Sequence, residues 1–245
     1  MDGPPAAGRG ETRGTRRTPE GDQGAGRVAL VVAAVTGGRP DPRIGPRLPA
    51  PDLVVAADSG IAAANALGLP VDLLVGDLDS AEPADVAAAR DAGTLVEEHP
   101  AEKDQIDLEL ALDAACELGA KQIVVVAGAG GRLDMALANV AVLTRERYGS
   151  LEVEGWIGAG WLAVVRAPDR RLVAGRRGEL VSLLPVGGAA TVTTEGLRYP
   201  LRGEALLPGS SRGISNEVAD PETASVQVEA GVVLVVRPEA LEAGT

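Results

Sequence analysis

The sequence predicts an α/β domain built on a parallel sheet, followed by an all-β sandwich domain. Three observations carry this expectation. Between residues 28 and 148, short apolar runs alternate with segments of helical periodicity. Glycine or proline punctuates nearly every junction between them. After about Leu151 the helical periodicity fades, and strand-like alternation with glycine turns replaces it. Strands alternating with helices imply right-handed βαβ units and a sheet covered on both faces, a Rossmann-like arrangement. The expected division is a disordered tail over residues 1–26, an α/β domain over 27–165 and a β-sandwich over 166–245.

The elements follow in order. Residues 1–26 are Gly, Pro, Arg and Thr with almost nothing to bury, and they lack the apolar core of a signal peptide. Val28–Val35 is a nearly continuous apolar run, the first buried strand, ended by Thr36-Gly37-Gly38. Pro40, Pro42, Pro46, Pro49 and Pro51 keep the next stretch from forming a long helix. Leu53–Ala57 is the second strand and ends at Asp58; Ser59 is placed to cap a short helix closed by Gly68. Val71–Val75 is the third strand, broken by Gly76, and a helix around Pro83–Ala92 stops at Gly93. Thr94–Glu97 is a strand, and Asp104–Leu118 is a helix with Leu108, Leu112 and Ala115 on one face. Ile123–Val126 is a strand, and Leu133–Tyr148 a helix with Leu133, Leu137, Val140 and Ala141 at helical spacing. Beyond it, Glu179–Leu184, Ala190–Thr194, Ser225–Val228 and Gly231–Arg237 read as strands separated by glycine turns.

Composition narrows the function. The 245 residues are 45% hydrophobic but only 2% aromatic, so the core is Val, Leu, Ile and Ala. A net charge of −12 argues against nucleic acid or an anionic membrane as partner, and suits a protein that holds cations. The single cysteine, Cys116, excludes intrachain disulfides and fits a reducing, cytoplasmic setting. No apolar run reaches the length of a transmembrane helix.

In open parallel sheets, ligands bind beyond the carboxyl ends of the strands. Unusual residues collect there: Asp58-Ser59-Gly60, then Gly76-Asp77-Leu78-Asp79-Ser80, then His99 to Asp107, then Gly128 to Asp134. Asp77 and Asp79 at i, i+2 share one side of an extended segment, and their repulsion calls for water or a cation. Asp107 adds a third carboxylate, and oxygen-only ligands suit Mg²⁺. Asp104 and Asp107 are equally the residues that open a helix. Lys103 beside them is placed to hold a phosphate. The glycine-rich turn before Leu133 offers backbone N–H groups to an anion, with Arg132 able to grip a phosphate through two bonds. His99 lacks metal-ligand partners, Cys116 sits in an apolar helix, and Trp156 and Trp161 read as packing at the domain junction. These features together describe a Mg²⁺–nucleotide site, where transfer depends on positioning and charge compensation.

The order of motifs is similar to that of the thiamine pyrophosphokinase family. The residues that carry the resemblance are D-S-G at 58–60, P-V-D-L-L-V-G-D-L-D-S at 70–80, E-K-D-Q-I-D-L-E-L-A-L at 102–112 and G-A-G-G-R-L-D-M-A-L-A-N at 128–139. V-S-L-L-P at 181–185, T-T-E-G-L-R-Y-P-L at 193–201 and G-I-S-N-E at 213–217 continue it. The resemblance implies a homodimer with its site between subunits, moving the pyrophosphoryl unit of ATP onto the hydroxyethyl group of thiamine and leaving AMP. It implies that Asp77, Asp79 and Asp107 hold Mg²⁺ and form the catalytic set. It implies an ATP-binding set of Asp58, Lys103, Asp104, Gly130, Gly131, Arg132 and Asp134, and thiamine contacts from Ser215 and Asn216. Ile106 stands where the family often has Thr, and Met135 where it often has His. Those two departures motivate the alternative of a catalytically decayed thiamine- or nucleotide-binding protein. A second alternative, from the strand followed by D-x-D, is a Mg²⁺-dependent phosphatase with Asp77 as nucleophile.

Overall fold

The computed structural model describes residues 26–35 and 39–242. The expected tail, apart from residue 26, and the Thr36-Gly37-Gly38 turn lie outside the described residues. The strands are β1 (Val28–Val32), β2 (Leu53–Ala57), β3 (Leu73–Gly76), β4 (Leu95–Glu98), β5 (Gln122–Ala127), β6 (Glu152–Ile157), β7 (Gly160–Arg166), β8 (Asp169–Leu172), β9 (Leu180–Pro185), β10 (Ala190–Glu195), β11 (Glu204–Leu206), β12 (Asn216–Glu217), β13 (Ser225–Ala230) and β14 (Val232–Arg237). The helices are α1 (Gly60–Ala66), α2 (Pro83–Asp91), α3 (Asp107–Glu117) and α4 (Leu133–Val142).

A 10-stranded sheet in the order β12-β9-β14-β7-β6-β5-β1-β2-β3-β4 forms the spine. Strands β4 to β6 in that order pair in parallel, and β7, β14, β9 and β12 continue antiparallel. The parallel strands are apolar on both faces because each face is covered. Along β1, Ala29 and Val31 join α3 residues Leu108, Ala111, Leu112 and Ala115 in one core. Leu30 and Val32 point to the other side, against Ala63 and Ala64 of α1. β4 is the exception. Leu95 is exposed, and Glu97 and Glu98 place charge on this edge strand, where it discourages pairing with another chain.

The sandwich expected after residue 165 exists, but it shares a sheet with the α/β half. The smaller sheet, β11-β10-β13-β8, packs on the antiparallel end of the long one. Val181, Leu183, Val233 and Val235 face Val192, Val226 and Val228 across the gap, while Leu234 turns back into the α/β core. The expected boundary at 165 falls inside β7, which pairs with both β6 and β14. Trp156 and Trp161 stand opposite each other on the β6–β7 hairpin. Trp156 is buried in the α1-side core, as expected of a packing residue.

Several element ends differ from expectation. β1 stops at Val32, three residues early. α3 begins at Asp107 because Ile106 is extended and buries its side chain against the main core, leaving Asp104 in the preceding turn. α4 ends at Val142, and a single 3₁₀ turn, Glu146–Tyr148, replaces its expected last turns. Ser59 does sit at the N-cap of α1, but its hydroxyl makes no capping bond.

Candidate active site

The strand order reverses between β1 and β5: the first strands step outward through β2, β3 and β4, and β5 returns to β1's other side, still parallel. This is where an open α/β sheet leaves a crevice at its strand ends. A cavity of about 280 Å³ lies there, lined by Val35, Pro40, Ile44, Ala127, Gly128 and Gly158 among others.

Beside it, at the ends of β2 and β3, three carboxylates converge. One oxygen each from Asp58, Asp77 and Asp107 lies within 4.8 Å of the others. Asp58 is buried, at 6% exposure; Ser80 Oγ donates a hydrogen bond to its Oδ2, while Oδ1 is buried without a partner. Gly76 makes room for the cluster. A Cβ there would lie 3.0 Å from Asp58 Cβ and 3.2 Å from Asp107 Oδ1. Lys103 Nζ lies 2.9 Å from Asp77 Oδ2 and 3.0 Å from Asp107 Oδ1; the latter contact is an ion pair that leaves Oδ1 without a well-aligned hydrogen bond.

Charge shapes the titration here. The hydrogen bond from Lys103 is the main cause that holds the Asp77 carboxyl below its ordinary range. Burial works to lower the Lys103 ammonium, but the bond to Asp77 and the charge of Asp107 outweigh it and push it up. Asp79 goes the other way, raised first by the neighbouring charge of Asp77. Its side chain is exposed and outside the close trio, on the solvent side, with its N–H donating to Asp77 Oδ1 at 3.3 Å.

The structure therefore brings Asp77 and Asp107 together, adds Asp58 to them, and sets Asp79 at the mouth. The sequence reading placed Asp58 with ATP rather than with the carboxylate pair. Its strand-end position was legible, but not its neighbour: β2 and β3 are adjacent and parallel, so Asp58 and Asp77 emerge side by side. Three non-glycine residues have φ in the left-handed region among the described residues: Asp58 at 48°, Leu78 at 61° and Ser215 at 55°. All three fall in segments singled out from the sequence, and such strain collects at functional sites.

The glycine turn leads into α4 as expected. Gly131 takes φ of 86°, and Gly130 lines the cavity. Arg132 pairs in bidentate fashion with Asp134, at 2.6 and 3.1 Å, in an exposed position where solvent and phosphate compete easily for the guanidinium. Met135 is half-buried, Asp104 is exposed, and burial pushes the Cys116 thiol up, which makes it inert.

Ser215 and Asn216 lie far from this edge, at β12. Asn216 is buried and consumed by its own surroundings. Its Oδ1 accepts from the N–H groups of Tyr199 at 3.0 Å and Glu217 at 2.9 Å, and its Nδ2 donates to Tyr199 O at 2.7 Å. Ser215 is exposed; its backbone N–H donates to Ser182 Oγ at 3.1 Å. Gly213 fixes the loop against β9, since a Cβ there would meet Leu183 O at 2.2 Å.

An acidic, glycine-lined edge of a parallel sheet, joined to a second antiparallel layer, defines an α/β nucleotide-using transferase with an appended β-sandwich module. The family model described as thiamin pyrophosphokinase, catalytic domain, matches residues 48–154, and that described as thiamin pyrophosphokinase, vitamin B1 binding domain, matches residues 170–233. The chain belongs to the thiamine pyrophosphokinase family, and it is an enzyme that uses ATP and thiamine as substrates. It is 27% identical to thiamine pyrophosphokinase of Bacillus subtilis over 166 residues, 67% of this chain and 74% of that protein. The crystal structure of the Bacillus subtilis protein superposes with a TM-score of 0.73 at 22% identity, covering 86% of this chain and 98% of the other. Thiamin pyrophosphokinase from Geobacillus thermodenitrificans gives a TM-score of 0.70 at 28% identity, covering 86% and 96%. No helix among the described residues is long and apolar enough to cross a membrane.

Proposed function

We propose that Asp58, Asp77 and Asp107, with Asp79 on the solvent side, would hold the Mg²⁺ that pyrophosphoryl transfer from ATP to thiamine needs. The observation that carries this reading is the buried, unpartnered Asp58 Oδ1 aimed into a carboxylate trio that Gly76 leaves room for. The donor set is all oxygen, as Mg²⁺ requires. When bound, the ion supplies charge neutralisation to the phosphate oxygens. The protein's own groups do the positioning. Backbone N–H groups of Gly130 and Gly131 at the start of α4 receive phosphate oxygens. Arg132 exchanges Asp134 for phosphate, and Lys103 lends its ammonium to the same oxygens. The apolar cavity by Ile44 and Gly158 suits the nucleoside end. In the transfer, the thiamine hydroxyl oxygen forms a bond to the β-phosphorus as the bond from that phosphorus to the α–β bridging oxygen breaks. AMP leaves, and the hydroxyl proton passes to a site carboxylate. Asp79 suits that role, because it is exposed at the edge of the site and can pass the proton on to water.

The second substrate comes from elsewhere. Ser215, just before β12, is seven strand spacings from Asp58, just after β2, about 34 Å along the sheet. One thiamine cannot touch both. A homodimer solves this when the β12 edge of one copy reaches the acidic edge of the other. Leu133 and Leu137 of α4, exposed at 75% and 62%, supply apolar surface beside the site for such contact. Within that arrangement Ser215 offers its hydroxyl to thiamine, and Asn216 holds the loop that presents it.

The experiment incubates the protein with ATP, Mg²⁺ and thiamine and follows AMP and thiamine diphosphate together. Both form, and a chelator stops both. Substrate binding without product marks a decayed site, and inorganic phosphate from phosphomonoesters marks a phosphatase. Mixing inactive D77N with a Ser215 variant that cannot bind thiamine restores up to about a quarter of wild-type turnover if sites are shared between copies. No restoration in mixed dimers refutes the shared site.

A further inference from the structure

Lys103 holds a position that a phosphate contact alone does not explain. It is not extended toward solvent. Its side chain is 15% exposed and bridges Asp77 and Asp107 at 2.9 and 3.0 Å. Those are two of the carboxylates assigned above to Mg²⁺, so the ammonium lies where it competes with the ion for the same oxygens. The charges are also revealing. Asp58, Asp77 and Asp107 together carry three negative charges, and one ammonium leaves two, the complement of a divalent cation. The shortfall is visible as the unpartnered Oδ1 of Asp58. Lys103 sits on the loop before α3, its N–H donating to Ala101 O at 3.1 Å, and its flexible four-carbon stem can turn to a new partner.

Resting on the reading that this trio holds Mg²⁺, we infer that Lys103 is a resident counter-cation that makes metal loading conditional on nucleotide. A bare divalent ion entering the trio must either displace the ammonium into water or remain beside a like charge, and both weaken its binding. A metal arriving on a triphosphate brings anionic oxygens that take the ammonium over, so the carboxylates are released to the ion without stranding the lysine. Lys103 thus offsets part of the carboxylate cluster's charge in the empty enzyme, disfavours free Mg²⁺, and passes to the phosphates when the metal–nucleotide complex binds. It acts on the metal as a positioning residue as well as contacting the substrate.

The test is Mn²⁺ binding to the full-length protein, read by the electron paramagnetic resonance signal of free Mn²⁺, with and without α,β-methylene-ATP. Without nucleotide, K103M binds Mn²⁺ roughly tenfold more tightly than wild type, while K103R, which keeps the charge, stays within about threefold of it. K103Q is a second neutral variant with the same expectation, and melting curves report that each variant is folded. With the nucleotide analogue the order reverses, and wild type holds Mn²⁺ more tightly than K103M. Equal or weaker Mn²⁺ binding by folded K103M and K103Q in the absence of nucleotide overturns the inference. Mn²⁺ binding that wild type shows with the analogue and D77N lacks upholds the metal assignment independently. Failure of every protein to bind Mn²⁺ under both conditions overturns that assignment and the inference with it.

Discussion

Replacing Asp58 by Asn separates stability from function. Asp58 lies at most 4.8 Å, oxygen to oxygen, from Asp77 and Asp107. At an effective dielectric near 20, each such pair of charges repels by about 3.5 kcal/mol. Lys103 offsets part of this, and water reaching the half-buried Asp77 and Asp107 screens more. A net gain of about 1–3 kcal/mol remains on removing the Asp58 charge from the metal-free protein. Asn keeps an acceptor for Ser80 Oγ and turns the orphaned Oδ1 into a donor facing two carboxylates. For a chain of this length that gain raises the melting temperature by about 5 °C. The assay is differential scanning fluorimetry of wild type and D58N in chelator and in millimolar Mg²⁺, beside turnover. D58N melts higher than wild type in chelator, gains less from Mg²⁺, and loses turnover. A melting temperature in chelator equal to or below wild type refutes the reasoning, because Asp58 then supports the fold rather than straining it.

Other perturbations probe the remaining parts. D79N removes the solvent-side carboxylate and abolishes formation of AMP and thiamine diphosphate with no change in the melting curve. G76A forces a Cβ against Asp58 and Asp107 at a φ of 149°; the backbone strain costs about 1–3 kcal/mol, and displacement of the carboxylates lowers turnover by about a hundredfold. S215A keeps wild-type stability and raises the KM for thiamine, whereas N216A strips the hydrogen bonds at Tyr199 and Glu217 and lowers chemical-denaturation stability by about 2–3 kcal/mol. Tyr148 is fully buried, and burial followed by its 2.9 Å bond to Asp113 pushes its phenol well above the ordinary range. The fold therefore favours the protonated phenol: that contribution is complete below the unfolded value of about 10 and is lost as pH rises above it. Y148F costs about 1.5–3 kcal/mol at neutral pH and flattens the loss of stability above pH 10, as melting curves across alkaline buffers will show.

Much of this was legible in the chain. The parallel strands announced themselves because burial on both faces demands unbroken apolar runs such as Leu53–Ala57, and their ends announced themselves through Asp58, Gly76 and the glycine turn before Leu133. What stayed hidden needed three dimensions. Asp58 joins Asp77 because β2 and β3 are neighbours, a pairing that no local pattern encodes. The start of α3 moved to Asp107 because Ile106 is drawn into the core, a tertiary pull that overrode the helix-opening chemistry of Asp104. Asn216 reads as a ligand contact from its motif, yet its polar atoms are taken by the backbone at Tyr199 and Glu217, a partnership between segments 17 residues apart. The shared sheet was invisible because β7 and β14 are apolar runs that read the same whether they edge one domain or join two.

That joining strand has a consequence for how the protein is made. β14 is the last strand among the described residues, yet it lies inside the long sheet between β7 and β9, third from the β12 edge, and Ala240 and Leu241 just beyond it fill the core beneath α1. The sheet cannot be completed until β14 has left the ribosome, so β7 and β9 each keep one unpaired edge until the last part of synthesis. A chain cut before Val232 loses the seam between its halves rather than a tail, and neither half is expected to survive alone as a folded piece.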